Sequence, residues 1–279
     1  MREYVGTLGR HLLVEPDINQ PYFSVLAPVP ATTNENSIRP FPGYSTIQQF
    51  LSAATSNYHA LQTQLSRRVG DVTFTAAYTF SKALGNASSD TDNQFDYYNL
   101  YWMYGPLSYD ARHVFTGTFV WSLPRLKDQP AYVRSVAGNW QSSGVIHLQT
   151  GFPLNVTGNT PILGNRQADY IGGSALLPNP GANGWINPAV YAPAPQGAFG
   201  TAGAGDVRGP GLQTYDLFVA RLFPLWHEGT SLGFRADFLN AFNNVNFQAP
   251  TTNVSNTGFG TITSAYPPRN IQLSLRLLF

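Results

Sequence analysis

The feature that most restricts the fold is a two-residue alternation of apolar and polar side chains, repeated in segments of about ten residues. In the final stretch Ile271, Leu273, Leu275, Leu277 and Phe279 fall on one face, and Asn270, Gln272, Ser274 and Arg276 on the other. Successive side chains of a β-strand point to opposite faces, so this segment is a strand with one greasy and one wet side. Val72, Phe74, Ala76, Tyr78 and Phe80 repeat the pattern against Thr73, Thr75, Ala77, Thr79 and Ser81. Leu232, Phe234, Ala236 and Phe238 stand against Ser231, Gly233, Arg235 and Asp237, a polar face with two opposite charges. Looser versions run over 58–68, 114–121, 140–148 and 215–223, and a partial strand over 4–13 brings the expectation to about eight strands. Ten residues is about the length a tilted strand needs to cross a bilayer.

The connections sharpen the reading. Links 67–71 and 224–229 are short, 123–139 is of moderate length and contains proline, and 14–57, 82–113, 157–212 and 241–269 are long. Short and long links alternate strictly, as in a transmembrane barrel with short periplasmic turns and long extracellular loops. Long loops argue against such strands in a compact soluble domain and are expected outside a membrane barrel. A soluble β-sandwich or a lipocalin-like barrel also alternates. Against these stand the loop asymmetry, the aromatic terminus and a charged content of only 11% with 14% aromatics, where a soluble domain carries roughly 25% charged residues. The expected fold is therefore all-β: an antiparallel, up-and-down transmembrane β-barrel segment, either an open curved sheet or a small closed barrel. No helix and no internal repeat is expected. No apolar run reaches the length of a spanning helix, and residues 1–7 lack the pattern of a signal peptide, so the chain is expected to begin inside a longer protein.

The residues offer little chemistry. A net charge of +1 without charge runs gives no footprint for nucleic acid. The absence of cysteine removes disulfides, thiolate metal sites and cysteine nucleophiles. Asp90, Asp92 and Asp96 place carboxylates at alternate positions like the start of a calcium loop, but Phe95 and Tyr101 stand where that motif needs Gly and Glu. At most a weak loop-borne cation site remains. The glycine-rich run 203–211 lacks the strand, helix and Lys of a phosphate loop and reads as a tight turn into the next strand. His11, His59, His113, His147 and His227 are scattered, with no zinc spacing, so no metal or cofactor is expected. Asp110, Asp216 and Asp237 read as ion-pairing groups near strand ends or on polar faces, and no catalytic triad or nucleophile elbow stands out. Asn-x-Ser/Thr triplets at Asn86, Asn155 and Asn253 carry no information here. The chain is expected not to be an enzyme. The aromatic run from 95 to 104 reads as an interfacial girdle or loop packing, with Tyr97, Tyr98, Tyr101 and Trp102 as candidate ligand contacts.

A series of short motifs spans the chain: Tyr4 to Leu12, Asp17-Ile18-Asn19-Gln20, Asn57 to Gln62, Ala77 to Lys82, Tyr104-Gly105-Pro106 and Asp110-Ala111-Arg112-His113. Gly138 to Gln141, Gln149 to Leu154, Arg208-Gly209-Pro210-Gly211 and Phe234 to Asn243 follow. In order and spacing they resemble the barrel domain of the Oar-like TonB-dependent transporters, whose full-length members carry a carboxypeptidase-regulatory-like domain. The resemblance implies an outer-membrane location, the bilayer and the barrel assembly machinery as partners, and uptake by the complete protein. Leu275, Leu277 and Phe279 look like the terminal signal that this machinery reads. Members of the family also have a signal peptide, a plug, a TonB-contacting segment and about twenty-two strands. The chain resembles only the last third or so, with residues 1–279 as a partial barrel domain and contact with the TonB complex only through the missing plug. A surface adhesin or carbohydrate-binding β-protein using aromatic loops is the alternative from another class. Neither reading identifies a substrate.

Overall fold

The computed structural model describes residues 1–22, 30, 32–91, 96–160, 164–195, 197–226 and 229–279. Eight long strands form one antiparallel meander: β1 (Arg2–Val14), β2 (Leu51–Val69), β3 (Val72–Gly85), β4 (His113–Ser122), β5 (Gln141–Gln149), β6 (Leu212–Pro224), β7 (Ser231–Leu239) and β8 (Asn270–Leu278). Each pairs with its neighbours in the chain, and Gly105–Pro106 adds a short rung to β3. The expected eight strands are all present. They run longer than expected at the loop end, where β2 begins at Leu51. Residues Leu51 to Asn57 pair with Val14 to Leu8 of β1, and the alternation fades there, where Ala54 and Val14 are buried against Ala87 and Leu100.

The hairpin between β2 and β3 is tight, with Val69 opposite Val72 and only Gly70 and Asp71 between them. Gly70 has φ +65°, the left-handed conformation that a type II′ turn requires at its first central position and that glycine adopts without strain. The β6–β7 turn bends at Gly229 (φ +81°), and Leu225 N–H donates to Thr230 O at 3.0 Å. Its neighbours His227 and Glu228 lie outside the described residues. The β4–β5 link holds a helix, α1 (Ala131–Ala137), where none was expected. Its alanines and valines give no local signal that separates it from a loop, and Pro130 at its start supplies no side-chain cap.

Register decides what the sheet does. Residues directly opposite share a face. Leu61 faces Phe80, Tyr78 faces Phe115, Phe115 faces Leu148, Leu217 faces Phe238, and Phe238 faces Ile271. Ala236 and Phe234 then face Leu273 and Leu275. The apolar rows of the strands therefore merge into one continuous face. The opposite face carries Gln62, Thr79, Thr75, Thr118, Asp216, Gln149 and Gln272, with an Arg235–Asp237 ion pair at 2.6 Å. Val5, Val114, Val120, Val145, Phe218 and Leu222 are among the apolar exceptions on it.

Apart from α1, which covers Arg221 at the short-turn end, no second layer covers the apolar face among the described residues. Leu61, Leu65, Val69, Phe80, Leu273 and Leu275 are all exposed. The buried hydrophobic clusters instead lie toward the long-loop end, one around Val156, Ile186 and Val207 and a smaller one around Val14 and Ala54. A sheet whose greasy side lacks a protein core, while each internal strand satisfies its backbone groups on both sides, is built for hydrocarbon. At the short-turn end an aromatic border includes Trp121, Trp140 and Phe223. At the other end Tyr4 and Tyr78 hydroxyls are hydrogen-bonded to His59 Nδ1 (2.6 Å) and His113 Nδ1 (2.7 Å), so imidazoles near the edge of the apolar band are not left bare.

Candidate functional site

The four long connections meet at one end of the sheet, and the motif residues hold them there. Asp17 Oδ1 accepts from Asn19 N and Ile47 N at 2.9 Å each, and its other oxygen lies 3.6 Å from Arg39. The fully buried Asn19 donates to the carbonyls of Phe41, Tyr44 and Ser45 and accepts from Phe41 N. The described segment from Phe41 to Ser45 is thus gathered around a single amide. Gln20 carries the link onward: its Nε2 donates to Asp96 Oδ1 at 3.0 Å, its Oε1 accepts from Tyr97 N, and its carbonyl accepts from Tyr98 Oη. Tyr98 also stands edge-on to Tyr22 and Tyr97, and burial with the nearby Tyr97 and Asp96 pushes its phenol upward. Burial lowers the Arg166 guanidinium of the third loop from its ordinary value, and the charges of Asp17, Glu35 and Asp96 partly oppose this.

Asp110 and Arg208 form the clasp between the second and third loops. The Asp110 carboxylate is 0% exposed, accepts from Ala83 N at 2.7 Å and is ion-paired to Arg208. Arg208 also donates to the carbonyls of Asp110 and Gly151 at 2.9 and 3.1 Å. Beside it the backbone runs past Gly151, where a Cβ would overlap the Gly209 carbonyl, so this crossing needs glycine.

Above the clasp, the third and fourth loops fold into a small module. Val156, Ile186, Val190, Tyr191 and Val207 are buried together, and Val254 and Phe259 of the fourth loop pack on them. Backbone bonds from Thr157 N to Thr252 O (3.0 Å) and from Trp185 N to Gly260 O (2.7 Å) join the two segments. Tyr191 Oη donates to Asp206 at 3.4 Å. Burial raises the Asp206 carboxyl above its ordinary range, although hydrogen bonds from Gly203 and Tyr191 oppose this. Within the interval from the ordinary carboxylate range up to the raised value, the folded module holds more proton than the unfolded one, so its stability falls as pH rises. Protease protection of the module should therefore increase on acidification from neutral pH, and Asp206→Asn should flatten that dependence. A wild-type profile that declines on acidification would contradict the assignment.

The residues singled out in the sequence separate into three groups. Tyr97 and Tyr98 are tied to the first loop through Gln20, although the Tyr98 ring stays exposed, whereas Tyr101 and Trp102 are exposed on the same loop. Asp96 spends one oxygen on Gln20 and on Tyr98 N, Asp90 is exposed, and Asp92 lies outside the described residues. No group of three or more metal-binding side chains converges among the described residues. Leu275 and Leu277 lie on the apolar face, and Phe279 follows β8 fully exposed. Asp216 accepts from Asn240 N at 2.8 Å and tethers the end of β7, and the glycine-rich run turns at Gly205 (φ +63°) into Val207–Arg208 and on to β6. A cavity of about 230 Å³ lies where the loops meet, lined by Asn86, Met103, Leu107, Pro153 and Asn155. Its asparagine amides are engaged with Thr55 N, Leu100 O and Gly205 N, which makes it a joint between loops.

A meander with a bilayer face, a wet face, short turns at one end and clasped loops at the other defines an outer-membrane β-barrel wall. The chain belongs to the outer membrane beta barrel domain family, whose profile matches residues 2–272, and it resides in the outer membrane. The crystal structure of the outer membrane transporter YddB from Escherichia coli has a similar fold, with a TM-score of 0.50 at 12% identity. The match covers 100% of this chain and 30% of that one, so the chain spans less than a third of the transporter. No curated protein matches the sequence.

Proposed function

We propose that the chain forms part of the barrel wall of a TonB-dependent transporter of the Oar-like kind, and that the complete protein takes up a substrate across the outer membrane. The observation that carries this reading is the wet face, continuous over eight strands and rich in hydroxyls, amides and paired charge, directly behind the bilayer face. Such a face suits a lumen through which polar solutes pass. The roles are binding and passage, with no catalysis. Energy coupling belongs to a plug and a TonB contact, while Leu275, Leu277 and Phe279 present the row read by the assembly machinery.

The test compares cells carrying the complete gene with a deletion strain on limiting nutrients, with and without the TonB complex. Uptake predicts a growth advantage that needs both the gene and the complex. An adhesin or carbohydrate-binding protein predicts surface attachment that survives loss of TonB and no growth difference. In the same cells, replacing Tyr101 and Trp102 by alanine should lower uptake at limiting substrate by about tenfold, the equivalent of roughly 1.4 kcal/mol of binding. Unchanged uptake would remove these two residues from the ligand surface.

A further inference from the structure

Arg221 is an arginine on the hydrocarbon side of the wall. It stands opposite Phe234, which stands opposite Leu275, and it lies three residues before the end of β6 at the short-turn end. It is nevertheless only 5% exposed. The cover is α1. The Arg221 guanidinium donates to the carbonyls of Arg134 (3.2 Å), Ser135 (2.8 Å) and Val136, while Trp140 Nε1 donates to Val136 O at 2.9 Å. These carbonyls belong to the last turn of α1, where positive charge is favoured; the Arg134 carbonyl also accepts from Gly138 N–H at 3.2 Å. The cation also lies over Phe223 at 4.4 Å and Trp140 at 5.8 Å. A seven-residue helix does not persist in water alone. This one is pinned by a neighbouring strand, and against the outer side of the wall.

We propose that α1 is a foot resting on the phospholipid surface of the periplasmic leaflet. Tyr132 and Val136, one turn apart on the same side of the helix, are 74% and 68% exposed. They extend the apolar face that already meets the bilayer, beside the Trp121 and Trp140 border. Around them Arg125, Lys127 and Arg134 are exposed, against Asp128 as the one acidic residue of the link. An amphipathic surface of tyrosine, valine and cations at the end of a lipid-facing band matches acyl chains below and phosphates above. Continuity with the bilayer face is what selects lipid over a protein partner.

The chain contains no cysteine, so Val136→Cys and Asp128→Cys each provide a single labelling site. The full chain carrying a bimane label is placed in vesicles of phosphatidylethanolamine and phosphatidylglycerol with acyl chains brominated near the carbonyl. The expected result is strong bromine quenching and weak iodide quenching at position 136, with the reverse at 128. Equal iodide access at the two positions overturns the proposal, because the helix then hangs in water. Protection from iodide without bromine quenching also overturns it, because protein then covers the helix. In Arg221→Gln, iodide quenching at 136 should rise severalfold, and an unchanged value would overturn the pinning role. Should that variant fail to insert, the label depths in the unmodified wall still decide.

Discussion

Ile146→Arg should destabilise the membrane-inserted protein by about 2–4 kcal/mol, the cost of a charge on the lipid side near mid-bilayer, whereas Thr118→Arg should cost under about 1 kcal/mol. Ile146 sits midway along β5 on the apolar face, opposite Gly117 and Tyr215, with paired strands on both sides. Thr118 lies on the adjacent strand, one residue along and on the other face, in the row that contains Asp216. The two substitutions introduce the same side chain at nearly the same depth, so their difference reads the environment of each face. Urea unfolding in phospholipid vesicles, followed by tryptophan fluorescence, supplies both numbers. Equal costs would mean that the two faces meet the same medium, and the bilayer assignment would fall.

Removing Arg208 should release the loop clasp. With Arg208→Met the Asp110 carboxylate keeps its Ala83 amide and loses its cation while remaining fully buried. Breaking a buried pair costs about 3–5 kcal/mol, and the partial exposure of Arg208, at 29%, places the expected loss at the lower end. Trypsin should then cut within 150–211 much faster than in the wild type, while the sheet stays inserted. Asp110→Asn should fall between the two, because it removes the stranded charge and keeps hydrogen-bonding capacity. Wild-type cleavage rates in Arg208→Met would show that the loops are held by their apolar module alone.

What the sequence disclosed follows from which interactions are periodic. Strands bordered by lipid repeat every two residues, so all eight were legible, as was the ion pair of Arg235 with Asp237. The motifs were visible as a family resemblance, but their work was not. Asp110 meets Arg208 across 98 positions and Gln20 meets Asp96 across 76. No local pattern announces such partners. The aromatic run 95–104 showed the same limit, since Gln20 and Tyr22 of the first loop decide which of its rings are engaged. α1 escaped for a related reason: its stability comes from Arg221 in β6, 85 residues from the Val136 carbonyl it holds.

Among the described residues, β1 and β8 each have a hydrogen-bonded neighbour on one side only. In water such rims are tolerable, since solvent saturates the free amides and carbonyls. Inside a bilayer nothing else can, and each bare group is penalised by several kcal/mol. An even strand count leaves the two rims running in opposite directions. They can therefore zip to each other, to additional strands or to another copy of the chain, and insertion is tied to making those two seams.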